Sequence, residues 1–275
     1  MTETSVPDDP HGRIVADCNA TAETYDTLRF VQVCARRLVE LAALPPGAQV
    51  LDVATGTGWA ALAAAQCVGP TGRVLGVDRA PDMLERARRK VAAVGLTNVE
   101  FREGEAEHLD VEDQRFDVVL CASALFFVPD MLAALREWHR VLTPGGQVGF
   151  SGWGPHPRES VWDLLTTRLE QYGMPRPALG QRLEEPETCR RLLHEAGFGQ
   201  IEVQSEQLGY YFRTVEECWE EVWAHSTRVD LLQLAPSQRE QFKAEHLAAV
   251  GALATAQGLW RDVAVNFARG WKRTP

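Results

Sequence analysis

The sequence is short of positive charge, of paired cysteines and of long apolar runs, and each shortage excludes a class of protein. Lys and Arg total 28 against 38 Asp and Glu, a formal net charge of −10, which repels phosphate backbones and anionic membrane surfaces. No apolar run reaches the roughly 18 residues that a membrane span needs, and the first 13 residues contain no apolar leader segment. We therefore expect a cytoplasmic protein that binds neither nucleic acid nor membrane.

The six cysteines are scattered, with no CxxC pair and no histidine at zinc-finger spacing. Their distribution predicts reduced, buried thiols without a metal site or a disulfide framework. The chain has 275 residues, of which 45% are hydrophobic, and this is enough to bury a full core.

Short β-rich runs alternate with helical segments between residues 49 and 152. Strands are predicted at residues 49–53, 73–77, 99–102, 116–122 and 147–152. Helices are predicted at residues 28–42, 59–67, 81–94 and 131–141, where apolar residues recur in steps of three and four. Such alternation implies crossover connections, and therefore a largely parallel sheet with helices on both faces.

The remainder of the chain is richer in proline and less regular. It predicts helices at residues 160–172 and 187–196 and strands at 200–206, running on to 212, and at 261–269. We divide the chain into an N-terminal tail (1–24), a core (25–157), a lid segment (158–186), a helical insertion (214–257) and two stretches that complete the sheet (187–213 and 258–275). Because the insertion could serve as a dimer surface or as a lid, we expect a monomer or a homodimer.

A glycine-rich turn follows the first predicted strand. Gly56 and Gly58 precede an alanine-rich helix, so helix amides and the positive end of the helix dipole face whatever lies over the turn. Asp78 ends the second strand, 22 residues after Gly56, where a carboxylate can accept hydrogen bonds from both hydroxyls of a ribose. An adenosine-containing cofactor is expected here. The alternatives are turn glycines without a ligand and, for Asp78, a helix cap.

Residues 56–61 (GTGWAA) also satisfy the GxGxxA dinucleotide fingerprint, so this window alone leaves NAD and S-adenosylmethionine open. Asp52 favours S-adenosylmethionine, because it lies within the apolar end of the strand, four residues before Gly56. A carboxylate at that depth suits a cationic group, such as the ammonium of S-adenosylmethionine, and repels a pyrophosphate. A polar residue satisfied by loop amides is the plainer interpretation of Asp52.

Five segments resemble motifs of the class I S-adenosylmethionine-dependent methyltransferases, particularly the branch of ubiquinone, menaquinone and natural-product enzymes. They are residues 50–58 (VLDVATGTG), 74–78 (VLGVD), 104–107 (GEAE), 116–127 (FDVVLCASALFF) and 142–146 (LTPGG). The resemblance is close over roughly residues 25–152. It implies a Rossmann-like, doubly wound, seven-stranded, mostly parallel α/β sheet with helices on both faces and a C-terminal helical insertion acting as a lid.

The resemblance also implies the cofactor contacts. Asp78 would meet the ribose, Glu105 and the amide of Ala106 the adenine, and Tyr25 of the Tyr25-Asp26 pair would close over the cofactor. The other expected contacts are Asp52, Ala54 (where the family usually has glycine), Gly56, Gly58, Arg79, Met83 and Cys121.

Methyl transfer from a sulfonium is an in-line displacement, to which an enzyme contributes alignment and exclusion of water. A general base is optional. His156, just past the fifth predicted strand, is the first candidate base and His225 the second, and both could be ordinary loop or surface histidines. The histidine that often follows the fourth strand in this branch is absent, because Phe126 and Phe127 stand there.

Tryptophans concentrate after the core, among them Trp219 and Trp223, which share a helix face. They predict either plain core packing or an aromatic acceptor pocket, roofed by residues 160–172 and 214–257 with Phe126 and Phe127 below. The expected activity is methyl transfer to a small, apolar or aromatic acceptor. An NAD(P)-dependent oxidoreductase and a cofactor-binding protein of the same fold without methyl transfer are the alternatives.

Overall fold

The computed structural model describes residues 10–155, 160–175 and 179–274 of the chain. Strands among these residues are β1 (Gln49–Val53), β2 (Arg73–Asp78), β3 (Val99–Glu103), β4 (Phe116–Cys121), β5 (Leu142–Trp153), β6 (Gly199–Gln207), β7 (Tyr210–Phe212), β8 (Leu259–Arg261) and β9 (Ala264–Trp271). Helices are α1 (Pro10–Tyr25), α2 (Arg29–Ala42), α3 (Trp59–Val68), α4 (Pro81–Ala93), α5 (Met131–Val141), α6 (Val161–Gln171), α7 (Pro186–Glu195), α8 (Val215–Ala224), α9 (Thr227–Leu231) and α10 (Pro236–Gly251).

Seven strands form one sheet in the order β3-β2-β1-β4-β5-β9-β6. β1 pairs in parallel with β2 and with β4, so that Val50 lies opposite Val74 and Val118. β9 alone in this sheet runs against its neighbours, β5 and β6. The predicted seven-stranded, mostly parallel sheet is confirmed, and its strand order reverses between β1 and β4, where α/β sheets open a crevice for ligands.

Helices cover both faces of the sheet, as the alternation predicts. Leu38 of α2, Ala61 of α3 and Leu84 of α4 are buried in the apolar layer on one face. Leu135 of α5 and Leu193 of α7 are buried in the layer on the other face. Because the central strands are buried on both sides, their sequences are continuous apolar runs instead of alternating ones.

The helical insertion and the lid segment share a small core. Leu165 of α6, Trp219 and Val222 of α8 and Phe242 of α10 are buried together. Trp219 and Trp223 stack on each other, with ring centroids 6.1 Å apart. The core-packing interpretation of these two tryptophans therefore holds.

Four boundaries differ from the prediction. Residues 10–24, expected as part of a tail, belong to α1, because Val15, Cys18 and Ala22 pack against Ala80 and Met83 of the core. The strand expected to continue to residue 212 ends at Gln207, and residues 210–212 pair with β8 in a separate two-stranded sheet. The single strand expected at residues 261–269 is divided between β8 and β9. The turn expected at residues 142–146 lies within β5, at a register shift against β4.

All six cysteines are free thiols, four of them buried, but Cys67 is exposed and Cys18 half-buried. Among the described residues, no helix is both long and apolar enough to cross a membrane. Over the same part of the chain, no group of three or more His, Cys, Asp or Glu side chains is placed to hold a metal ion.

The small core around Trp219 and Phe242 contains a histidine that should make the protein sensitive to acid. His246 is completely buried, and neither ring nitrogen has a hydrogen-bond partner among the described residues. Burial and the nearby Arg168 cation lower its pKa from 6.5 to about 4. In the unfolded chain this histidine binds a proton below about pH 6.5, whereas in the folded chain it stays neutral down to about pH 4. Protonation therefore favours the unfolded state, and stability is lost as the pH falls from about 6.5 to 4.

We expect His246 to account for about 2–3 kcal/mol of the stability lost between pH 7 and pH 4.5. The variant His246→Leu keeps the site apolar, and its free energy of unfolding should not show this part of the decrease between pH 7 and pH 4.5. Urea unfolding of both proteins at the two pH values measures it. The same pH dependence in the variant and the wild type would show that His246 does not titrate as described.

Candidate cofactor site

A cavity opens at the carboxyl ends of β1, β2 and β4, where the strand order reverses. It encloses about 1130 Å³ of empty space, part of it open to solvent. Nine of the eleven cofactor residues predicted from the sequence line it: Tyr25, Asp52, Ala54, Gly56, Asp78, Arg79, Met83, Glu105 and Ala106. The topology therefore gathers segments that are far apart in sequence onto one edge of the sheet.

The other two predicted residues lie behind the cavity wall. Gly58, with φ of 82°, leaves no room for a side chain, because an added Cβ would lie 3.0 Å from Phe101 and 3.1 Å from Ala87. Cys121 is completely buried at the end of β4. Packing and backbone conformation therefore favour glycine at position 58. Neither Gly58 nor Cys121 is among the residues that line the cavity.

The Asp78 carboxylate holds the turn after β1. Its Oδ2 accepts a hydrogen bond from the Gly56 amide at 2.7 Å and its Oδ1 one from the Ala80 amide at 2.9 Å. Burial raises the pKa of Asp78, although these amides oppose the shift. Each carboxylate oxygen has a second lone pair, so the group can still accept hydrogen bonds from hydroxyls in the cavity.

Asp52 brings an incompletely satisfied carboxylate to the same place. It is 1% exposed, and its Oδ2 accepts a hydrogen bond from the Thr55 hydroxyl at 2.5 Å. Its Oδ1 has no hydrogen-bond partner among the described residues. Burial raises the pKa of Asp52 to about 7, and the neighbouring Asp78 adds to the rise. A site of this kind favours a ligand that brings a positive charge or hydrogen-bond donors.

Arg79 and Glu105 pair with each other at the rim of the cavity. Arg79 Nε and Glu105 Oε1 are 2.9 Å apart at the rim, where both side chains are partly exposed. The Ala106 carbonyl accepts a hydrogen bond from the indole of the buried Trp138 at 2.9 Å. These contacts fix residues 105 and 106 at the cavity edge before any ligand binds.

The cavity is covered by α1. Ile14, Val15 and Cys18 of this helix line it together with Tyr25. Sequence reasoning missed this cover, because the segment is polar overall and its apolar positions are few. Neither residues 160–172 nor residues 214–257 supply any of its described lining, so the lid role expected of them is not confirmed.

Asp26, at the end of this cover, is a junction of four side chains. Its Oδ1 accepts hydrogen bonds from the Thr57 hydroxyl at 2.6 Å, the Trp59 indole at 2.9 Å and the Lys90 ammonium at 2.5 Å. Its Oδ2 accepts one from Arg86 at 2.8 Å. Burial alone would raise the pKa of Asp26, but these donors outweigh its effect, and the pKa is lowered. The Tyr25-Asp26 pair was the sequence signal for this junction.

Neither candidate base is placed in the described part of the cavity. His225 follows α8, packs edge-on against Trp162 at 4.8 Å between ring centroids, and accepts a hydrogen bond from the Thr227 amide at 3.3 Å. It does not line the cavity. His156 lies outside the described residues. Of the expected aromatic floor, Phe127 lines the cavity, while Phe126 is buried beneath it.

Comparison with known proteins agrees with this geometry. A family profile described as a methyltransferase domain matches residues 50–146, the stretch from β1 into β5 that includes Asp52 and Asp78. Residues 50–146 of the chain therefore match a methyltransferase domain.

Two curated relatives match this region. The chain is 41% identical to demethylmenaquinone methyltransferase of Staphylococcus aureus over 133 residues, 46% of this chain and 54% of the relative. It is 44% identical to arsenite methyltransferase of Halobacterium salinarum over 110 residues, 40% of this chain and 28% of the relative. The matches thus span about half or less of each relative.

A solved structure extends the likeness beyond this region. The YcgJ protein of Bacillus subtilis superposes with a TM-score of 0.60 at 21% identity, covering 88% of this chain and 99% of that chain. At this identity the likeness shows the fold alone.

Asp52→Asn tests whether the buried carboxylate binds a cation. The change removes the charge but keeps an oxygen that can accept the bond from Thr55. Because the pKa of Asp52 is about 7, we expect wild-type affinity for S-adenosylhomocysteine, which carries the same ammonium, to rise as the pH increases through 7. The variant should bind at least about tenfold more weakly at pH 8, with little change between pH 6 and pH 8.

Calorimetric titration of both proteins at pH 6, 7 and 8 measures the difference. Without ligand, Asp52→Asn should be the more stable protein above pH 7, because it lacks an ionised, buried carboxylate. Equal affinities at pH 8 would contradict a role for Asp52 in binding the ammonium.

Proposed function

We propose that this protein transfers a methyl group from S-adenosylmethionine to a small, apolar or aromatic acceptor, an activity of the EC 2.1.1 type. The observation that carries the proposal is the unpartnered Oδ1 of Asp52, buried beside the turn that Asp78 holds. The methyltransferase domain over residues 50–146 supports the same conclusion.

The residues of the cavity fit each part of this cofactor. Asp52 would compensate the ammonium, and Asp78 would accept hydrogen bonds from the ribose hydroxyls. Glu105 and the amide of Ala106 would meet the adenine. When bound, S-adenosylmethionine supplies an electrophilic methyl group on a sulfonium. The chain contributes alignment, and α1 with Tyr25 excludes water from above.

The proposed acceptor side lies across β4 from Asp78 and Glu105. Val31, Ala35, Ala124 and Phe127 line the cavity there, which suits an apolar or aromatic molecule. No histidine is among the described residues that line it. His156 stays a candidate base, because it comes three residues after the end of β5 in the sequence.

The buried Asp52 argues against an NAD(P)-dependent oxidoreductase. Its carboxylate would repel a pyrophosphate at this depth. In addition, the Gly56 amide, which a phosphate-binding turn would offer to its ligand, already donates to Asp78. The match to the GxGxxA pattern therefore lacks the chemistry that makes the pattern bind a dinucleotide.

The direct test is transfer of labelled methyl groups from S-adenosylmethionine to a panel of phenols, quinones, thiols and amines. We expect the wild type to label at least one apolar or aromatic member. Binding of S-adenosylhomocysteine without transfer to any member would contradict the proposal and favour a cofactor-binding protein that does not transfer the methyl group.

Asp78→Asn should weaken cofactor binding more than it weakens the fold. The amide presents one acceptor oxygen where the carboxylate presents two, so the Gly56 or the Ala80 amide loses its partner, and one acceptor for the ribose hydroxyls is lost. We expect about a tenfold or larger loss of affinity for S-adenosylhomocysteine, measured by calorimetry.

Asp117→Asn is the matched control. Asp117 also accepts a backbone hydrogen bond, from the Gln49 amide at 2.9 Å, but at the opposite end of β1. It should leave the affinity unchanged. Equal losses in the two variants would show that the effect of Asp78→Asn is general destabilisation.

A further inference from the structure

Ser123 occupies an unusual position on the proposed acceptor side. It follows β4 directly and lines the cavity. Its φ of 53° is in the left-handed region, which residues other than glycine adopt at a cost in energy and which is frequent at functional sites. Its neighbours on this wall, Val31, Ala35, Ala124 and Phe127, are apolar.

Two buried groups hold Ser123 in place from behind. The Oγ of Ser151, a completely buried residue of β5, accepts a hydrogen bond from the Ser123 amide at 2.9 Å and lies 3.2 Å from the Ser123 Oγ. The buried Cys34 of α2 lies close to the Ser123 hydroxyl. These contacts retain the left-handed backbone and fix the side chain.

The hydrogen bonds determine what Ser123 can offer to the cavity. The buried Ser151 hydroxyl needs an acceptor, and the Ser123 Oγ is the one that the described residues place within reach. A serine oxygen has two lone pairs and one proton. With the Ser151 hydroxyl donating to one lone pair, the Ser123 proton is left for a group in the cavity.

We propose that the Ser123 hydroxyl donates a hydrogen bond to an oxygen of the methyl acceptor, and that the acceptor is a small apolar or aromatic molecule with a phenolic, enolic or carbonyl oxygen. This inference rests on the proposed function and names the acceptor class of the same site. Ser123 orients the acceptor against a wall that is otherwise apolar, and no proton transfer is assigned to it.

Phenol and toluene are matched probes for this role, since they have the same ring and differ in the oxygen. Each is titrated by NMR into protein saturated with S-adenosylhomocysteine. Ser123→Ala should weaken phenol binding about 2- to 10-fold, the effect of one hydrogen bond, and leave toluene binding unchanged or tighter. Ser123→Gly, which relaxes the positive φ, should give the same result and serves if the alanine variant folds poorly.

Ser205→Ala is the control, because the Ser205 hydroxyl donates to Asn266 at 2.6 Å on β9, away from the cavity. It should leave both affinities unchanged. Unchanged phenol affinity in both Ser123 variants, or binding of neither probe while S-adenosylhomocysteine binds, would overturn the inference. Failure of the proposed function would be seen in a different experiment, as the absence of methyl transfer from S-adenosylmethionine.

Discussion

The site depends on the two hydrogen bonds that the Asp78 carboxylate accepts from the amides of Gly56 and Ala80. They tie the turn after β1 to the loop after β2, at the edge where parallel pairing brings both strands to an end. They also occupy the Gly56 amide, so the glycine-rich turn does not present it to a phosphate. With Asp52 buried alongside, the cavity floor is anionic, and it favours a ligand with hydroxyls and a positive charge.

A second constraint comes from the N-terminal helix. Asp26 connects the end of α1 to Thr57 and Trp59 at the start of α3 and to Lys90 of α4. On its other side, α1 is joined to the insertion by the ion pair of Arg13 with the buried Asp230, 2.5 Å apart. The cover of the cavity is therefore held by the core and the insertion together, which explains why a polar segment forms an ordered helix there.

Features encoded in a short stretch of sequence could be predicted. Strand β1 and helix α5 begin and end where the apolar pattern and the proline and glycine signals place them. Asp52 and Asp78 can be predicted because the first lies within the end of a recognisable strand and the second ends one. Features that depend on distant partners could not be predicted: Gly58 is fixed by Phe101, residues 210–212 pair with β8 outside the main sheet, and Ser123 is held by Ser151 and Cys34. His225 follows a helix as expected, but only the packing against Trp162 shows that it faces away from the described lining of the cavity.

The central claim is that the floor formed by Asp52 and Asp78 selects an adenosine ligand that carries an ammonium group over a dinucleotide. Thermal unfolding of the wild type with S-adenosylhomocysteine or with NAD tests it most directly. At about 100 times its Kd, a ligand that binds the folded state should add roughly 2.7 kcal/mol of stability. We predict this stabilisation with S-adenosylhomocysteine and none with NAD at the same concentration. Stabilisation by NAD and none by S-adenosylhomocysteine would contradict the account.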